Sequence, residues 1–179
     1  MNKSIQNKQF GITLLEIIIV IAIIGILSAI IIPNYKDAQA SFALERSAHK
    51  LSQDIRRAAE MALAAEECCG GIIPPRYGIY ISMSELVLFA DTKPPKGIYS
   101  DQDDIIDTLD LEDKVFIKDI NVGSPPKTSI TFEPPAPTVA IKWDNESDPG
   151  ADVIITLARS DSSETKKVIV SRSGLVSVE

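Results

Sequence analysis

The chain is poor in the residues from which catalytic and metal sites are most often built. It has one histidine, His49, and two cysteines, Cys68 and Cys69, which are adjacent. His49 sits among the charges of "LERSAHKLSQD", and a single histidine supports neither a histidine-based metal centre nor a nucleophile–base triad. Serines are plentiful, but none has a base beside it in the sequence, and no phosphate-binding glycine loop is present. These absences argue against an enzyme and against a resident cofactor. Positive charge is scarce too, with 18 basic against 25 acidic residues and a formal net charge of −7. Phosphate backbones repel such a chain, so nucleic acid is not its expected ligand. The Cα atoms of adjacent residues lie about 3.8 Å apart, short of the usual disulfide span. Cys68 and Cys69 therefore read as two small residues at the end of a helix, with a strained vicinal bridge as the alternative.

What the chain does have is one long apolar run, "FGITLLEIIIVIAIIGILSAIIIP", from residue 10 to residue 33. Between residues 12 and 32 the only charge is Glu16. A helix over this run is roughly 31 Å long at about 1.5 Å per residue, which matches a hydrocarbon core of about 30 Å. The run predicts a single membrane-spanning helix. Lys3 and Lys8 precede it with no acid among the first eleven residues, which places the N-terminus on the cytoplasmic side and everything after Pro33 across the membrane. A cleaved secretory signal is the competing reading. It predicts a shorter apolar core of about 7–15 residues and a small-residue cleavage site, whereas this run ends in "IIIPNY".

The helical period continues past Pro33. Ala38, Phe42, Ala48, Leu51, Ile55, Ala58, Ala62 and Ala65 recur at spacings close to three and four, an apolar stripe on a charged helix. Gly70 and Gly71 supply a stop, so the helix is expected from about Ile12 to Cys69, with Gly25 and Pro33 as points of weakness or kinking. After Gly71 the period becomes two. "RYGIYIS" and "ELVLFA" suggest a hairpin, and "KVFIKDI", "TSITFE", "TVAIKW", "DVIITLA", "KKVIVS" and "GLVSV" follow. Short alternating strands between turns predict an antiparallel, sandwich-like or curved sheet, with the helix stripe covering one face. The fold class is α+β.

Lys8, Gly11 and the string "GITLLE", followed by the apolar span, resemble the leader of type IV prepilins: a basic stretch, glycine, a hydrophobic residue, then "TLLE". Pro33 and Tyr35 also fall where pilins and pseudopilins commonly have them. This part of the resemblance covers roughly the first fifth of the chain. The remainder is similar to the minor pseudopilins of the GspH/FimT kind through "LSQDIRRAAEMAL", "VLFAD" followed by the acidic "SDQDDII", "ITFEP" and "KKVIVSRSGLVSV". The resemblance implies a type IV pilin-like fold in four segments: a removed leader at 1–11, a transmembrane or filament-core helix at 12–33, an amphipathic helix at 34–69 and a β-domain at 70–179. It implies that a prepilin peptidase cuts between Gly11 and Ile12 and methylates the new amine of Ile12. Ile12 departs from the Phe or Met more usual after the cut. The implied partners are the peptidase, an inner-membrane assembly platform, membrane lipid before assembly, and other pilin or pseudopilin subunits. The implied location is the bacterial inner membrane, with a periplasmic or other extracytoplasmic C-terminal domain, and then a pilus or pseudopilus.

Cutting after Gly11 would remove both leader lysines and leave an amine about one helical turn from Glu16. A carboxylate at the centre of a span costs about 2.5–3.5 kcal/mol on insertion scales, and less near an interface. Pairing with the Ile12 amine of a neighbouring subunit would give Glu16 a defined partner in assembly. The intramolecular alternative is that the positive end of the helix alone makes the acid tolerable.

The acidic run "DQDDIIDTLDLE" begins with Asp101 and Asp103 and has Glu112 at its twelfth position, but Ile105 and Ile106 stand where a calcium loop needs an oxygen ligand and a glycine. A solvated acidic loop is expected there, as in "DNESDPGAD". Asn145 opens a glycosylation sequon too short and common to carry weight. Some FimT-like minor pilins bind DNA through basic loops near the C-terminus, and Lys166, Lys167 and Arg172 give local positive charge here. Strand alternation in "KKVIVS" explains the two lysines equally well.

Overall fold

The computed structural model describes residues 13–93, 96–121, 127–133, 138–143 and 150–179, without the side chains of 31–37, Thr138 and Trp143. Among the described residues one helix, α1 (Leu14–Leu63), is followed by nine strands. The chain divides into two compact units, Met1–Gln39 and Ala40–Glu179.

In the second unit the strands form two antiparallel sheets. The first holds β1 (Arg76–Ile81), β2 (Leu86–Asp91), β3 (Asp104–Thr108), β5 (Thr128–Glu133) and β6 (Thr138–Trp143) in the order β3-β2-β1-β5-β6. The second holds β4 (Val115–Ile120), β7 (Val153–Arg159), β8 (Thr165–Val170) and β9 (Val176–Val178) in the order β4-β7-β8-β9. The expected β1–β2 hairpin forms, with Ile79 opposite Leu88. One core joins α1 to both sheets: Leu44, Ala48, Leu51, Ile55, Ala58 and Ala62 pack with Tyr77, Ile79, Ile81 and Leu88 of the first sheet and Ile155, Leu157 and Val168 of the second. The alanines allow the strands to approach the helix backbone closely, and the apolar surface so buried stabilises the unit by about 25 cal/mol per Å².

The stripe differs from its expected membership. Leu44 and Ser47 are buried, whereas Ala38 and Phe42 are exposed. The buried set 44, 48, 51, 55, 58, 62 advances by alternating steps of four and three, which keeps one face inward, and Phe42 falls off that line at about 100° per residue.

The helix also ends earlier than expected, at Leu63 rather than Cys69. Ala65 adopts a left-handed φ of 45°. The amide of Glu66 donates to the Met61 carbonyl and that of Ala65 to the Ala62 carbonyl, both at 3.1 Å. That pair of bonds is a Schellman cap built on alanine instead of glycine. The buried Tyr77 then closes the connection to β1, its hydroxyl donating to the Glu66 carbonyl. Gly70 and Gly71 serve the next turn, at φ 94° and 84°, rather than the helix stop.

Nor is the acidic run a solvated loop throughout. Asp104–Thr108 is the edge strand β3, and the acids around it have local partners. Asp103, buried, accepts from the Ser100 amide at 2.7 Å and the Thr92 amide at 3.3 Å. Asp104 accepts from the Thr92 hydroxyl at 2.8 Å. Three cations of α1 reach the rest: Arg57 to Asp107 at 3.1 Å, Lys50 to the Asp110 carbonyl at 2.9 Å, and Arg46 to both oxygens of Glu112 at 2.6 and 2.7 Å. Arg46 holds the Glu112 carboxyl below its ordinary value.

The outer face of the first sheet is covered by the segment that follows β2. Tyr99 lies 4.8 Å from the Tyr80 ring and 5.3 Å from the Phe89 ring. Phe89 itself occupies the space over Gly78, where a Cβ would lie 2.9 Å from the ring and 2.7 Å from Thr131. The fully buried Asp91 anchors the same segment by accepting from the amides of Gly97 at 2.6 Å and Lys96 at 3.1 Å.

Candidate assembly helix

The described N-terminal residues begin with a helix cap. Thr13 accepts from the Glu16 amide at its hydroxyl, at 3.3 Å, while its carbonyl accepts from the amides of Glu16 and Ile17 at 3.1 and 3.3 Å. Thr13 is thus the N-cap of α1 and Glu16 its third residue, the T-x-x-E spacing of a capping box. The sequence carries the signal for this start, threonine three residues before glutamate and ahead of an apolar run, but "TLLE" enters the sequence reading only as part of the leader resemblance. The position gives Glu16 a local role: a carboxylate in the first turn complements the helix dipole. It also leaves the carboxylate exposed.

Around and beyond Glu16, as far as Ile30, the helix is apolar on every side. Leu14, Leu15, Ile17, Ile18, Ile19, Val20, Ile21, Ile23, Ile24, Ile26, Leu27 and Ile30 are all exposed, between 46% and 78%. A helix that is hydrophobic all round belongs in a protein core or in lipid, not in water. Covering each such side chain is worth about 1.5–3 kcal/mol. Among the described residues no helix is long and apolar enough to cross a membrane. In the sequence the run goes on through Ile31 and Ile32, whose side chains lie outside the described ones.

The residues singled out from the sequence are distributed as follows. Gly11 and Ile12, the expected cleavage pair, lie outside the described residues. Gly25 lies within α1, and a Cβ built on it meets no atom within 4 Å. Pro33 lies within α1, which is assigned as one helix through both positions; its side chain is outside the described ones. Glu16 and Gly25 are therefore both exposed on one stretch of helix.

The other candidates separate. Lys166 is half-buried and Lys167 exposed, because successive residues of β8 point to opposite faces; they do not build one basic patch. The Arg172 amide donates to Asp152 at 3.2 Å as part of the turn before β9. Asn145 and the 144–149 part of "DNESDPGAD" lie outside the described residues. Among the described residues no group of three or more His, Cys, Asp or Glu side chains is placed to hold a metal ion.

Residues 6–32 match the prokaryotic N-terminal methylation motif. The chain is 47% identical over 58 residues to a fimbrial protein of Pseudomonas aeruginosa, a match covering 32% of this chain and 37% of that protein. It is also 47% identical over 57 residues to the fimbrial protein EcpB of Eikenella corrodens, covering 32% of this chain and 35% of the relative. The chain thus spans little more than a third of the curated relatives it matches. No solved structure matches significantly.

Proposed function

We propose that the chain is a structural subunit, not an enzyme, of a type IV pilus or a type II secretion pseudopilus, a reading supported by its match to the prokaryotic N-terminal methylation motif and its similarity to fimbrial proteins. The observation that carries the proposal is the exposed, all-apolar helix headed by a capped glutamate, within a stretch that matches the methylation motif. Such a surface calls for cover by lipid or by protein neighbours. In this reading a prepilin peptidase cuts between Gly11 and Ile12 and methylates the Ile12 amine. The residues from Ile12 to Pro33 hold the subunit in the inner membrane, with the N-terminus cytoplasmic and the β-domain extracytoplasmic, until the assembly platform transfers it to the filament. Gly25 and Pro33 are the places where the helix loosens on leaving lipid, Gly25 because it lacks a side chain to pack and Pro33 because it lacks an amide donor. The β-domain, with its compact helix-backed sheets, suits a minor pseudopilin of the GspH/FimT kind.

Glu16 has two roles in this reading. Within the subunit its charge complements the positive end of the helix; between subunits its exposed carboxylate receives the methylated amine of a neighbouring Ile12 and so sets the register. Glu16→Gln keeps a capping residue at the third position and removes the charge. The variant is expected to insert and be cleaved as wild type while its incorporation into filaments falls at least tenfold, measured by immunoblot of sheared filaments against membranes. Wild-type incorporation of the variant would sink the intersubunit role. Duplex-DNA binding is the second function weighed from the sequence, and the opposed placement of Lys166 and Lys167 does not favour it.

A further inference from the structure

We propose that Cys68 and Cys69 form a reversible vicinal disulfide, closed by exchange with a disulfide donor and readily reopened by thiols. The pair occupies the tip of a miniature hairpin. Cys68 and Ile72 exchange backbone bonds, amide to carbonyl, at 2.9 and 3.0 Å, and the Gly71 amide donates to the Cys68 carbonyl at 3.1 Å. Between them Cys69 and Gly70 have φ of 51° and 94°. This is the pattern of a type I′ turn, whose first central position favours Asn, Asp or Gly. A cysteine there gains nothing from the backbone, so its side chain is where a reason must be sought. The Cys68 thiol and the Asp104 carboxylate are the polar groups whose influence its thiol feels. Cys69 is exposed and Cys68 half-buried against the core. The chain has no other cysteine, so this is its sole intrachain pairing.

The chemistry is two successive exchanges. One cysteine thiolate attacks a donor disulfide, forming a mixed disulfide and releasing the donor's first thiolate. The second cysteine, as thiolate, attacks the protein sulfur of that mixed disulfide and displaces the donor's second thiolate. The pair loses two electrons and two protons, and the donor gains them as two thiols. Adjacent Cα atoms stand about 3.8 Å apart, below the range of about 4.4–6.8 Å usual for disulfides, so the ring is strained. Strained and exposed disulfides are the easily reduced, regulatory ones. Closing so small a ring constrains almost none of the unfolded chain and contributes little to stability. Its effect is local, resetting the turn that carries the exposed Ile72 and Ile73. Although the residue is exposed, burial of its sulfur, then the Cys68 thiol and the Asp104 carboxylate, push the Cys69 thiol up to about 12. Attack by Cys69 is therefore favoured at alkaline over neutral pH.

An oxidising setting for this exchange rests on the extracytoplasmic placement of the β-domain proposed above; the reactivity of the pair does not. Full-length protein in detergent, treated with oxidised glutathione, is expected to lose two hydrogens by intact mass, remain monomeric on a non-reducing gel, resist maleimide, and recover both thiols with dithiothreitol. C68S and C69S should each instead retain a glutathione adduct. A stable adduct on the wild-type chain, a disulfide-linked dimer, or an unreacted chain overturns the proposal. Acid-trapping the chain from cells tests the setting separately: closure in vitro with fully reduced thiols in cells supports the pair and contradicts the extracytoplasmic placement.

Discussion

At the scale of single residues, Asp91 and Glu16 show how differently two carboxylates are accommodated. Asp91 is fully buried. Burial pushes its carboxyl above the ordinary value of 3.8, against the opposing pull of the Gly97 amide, with Asp103 raising it further and the Lys96 amide and Arg76 lowering it. The native state therefore holds the Asp91 proton more tightly than the unfolded chain does. Its contribution to stability is fully present below 3.8 and is lost as pH rises through the shifted value. Glu112 and Asp161, held low by Arg46 and Arg159, act in the opposite sense and lose their contribution as pH falls. Asp91→Asn should leave that acid loss in place and abolish the decline on the rising side. Denaturant midpoints of both proteins across this range check it, and parallel curves would contradict it. Glu16, by contrast, is exposed in the first turn of a capped helix, where its charge needs no buried partner.

At the scale of elements, hydrophobic periodicity carried most of the fold. Every alternating run named in the sequence became a strand, and the β1–β2 hairpin and the helix stripe were legible because period two and period 3.6 each put apolar side chains on one side. What escaped is equally physical. Strand β3 was hidden because Asp107 is paired by Arg57, and the stretch after the strand is held by Arg46 on Glu112 and Lys50 on the Asp110 carbonyl, residues 50 or more positions away that no local pattern connects. The helix end was hidden because its cap uses Ala65, a residue with no preference for the left-handed region. The cap yields a prediction: a left-handed alanine costs roughly 1 kcal/mol that glycine avoids, so Ala65→Gly should raise stability by about that amount, seen as a higher denaturation midpoint. The stripe yields another. Leu51→Ala should cost about 2–5 kcal/mol because it empties a core site between the sheets. Phe42→Ser, at an exposed position, should stay within about 0.5 kcal/mol of wild type. Equal losses for the two would mean the helix faces are wrongly assigned.

At the scale of the whole molecule, the chain combines a unit that satisfies its own apolar surface with a helical stretch that does not. In the second unit the stripe of α1 is enclosed by both sheets. In the first, a dozen large apolar side chains stand exposed around the helix, headed by the "TLLE" cap and preceded in the sequence by Lys3, Lys8 and Gly11. A subunit that stays briefly in a membrane and then enters a filament needs this division, whereas a permanent membrane-anchored binding domain needs no cut at Gly11. Intact mass with N-terminal sequencing of the chain recovered from cells therefore bears most directly on the matter. A processed subunit begins at an N-methylated Ile12, and does so only when a prepilin peptidase is present. A mature chain that still carries Met1 to Gly11 in cells with an active peptidase would contradict it.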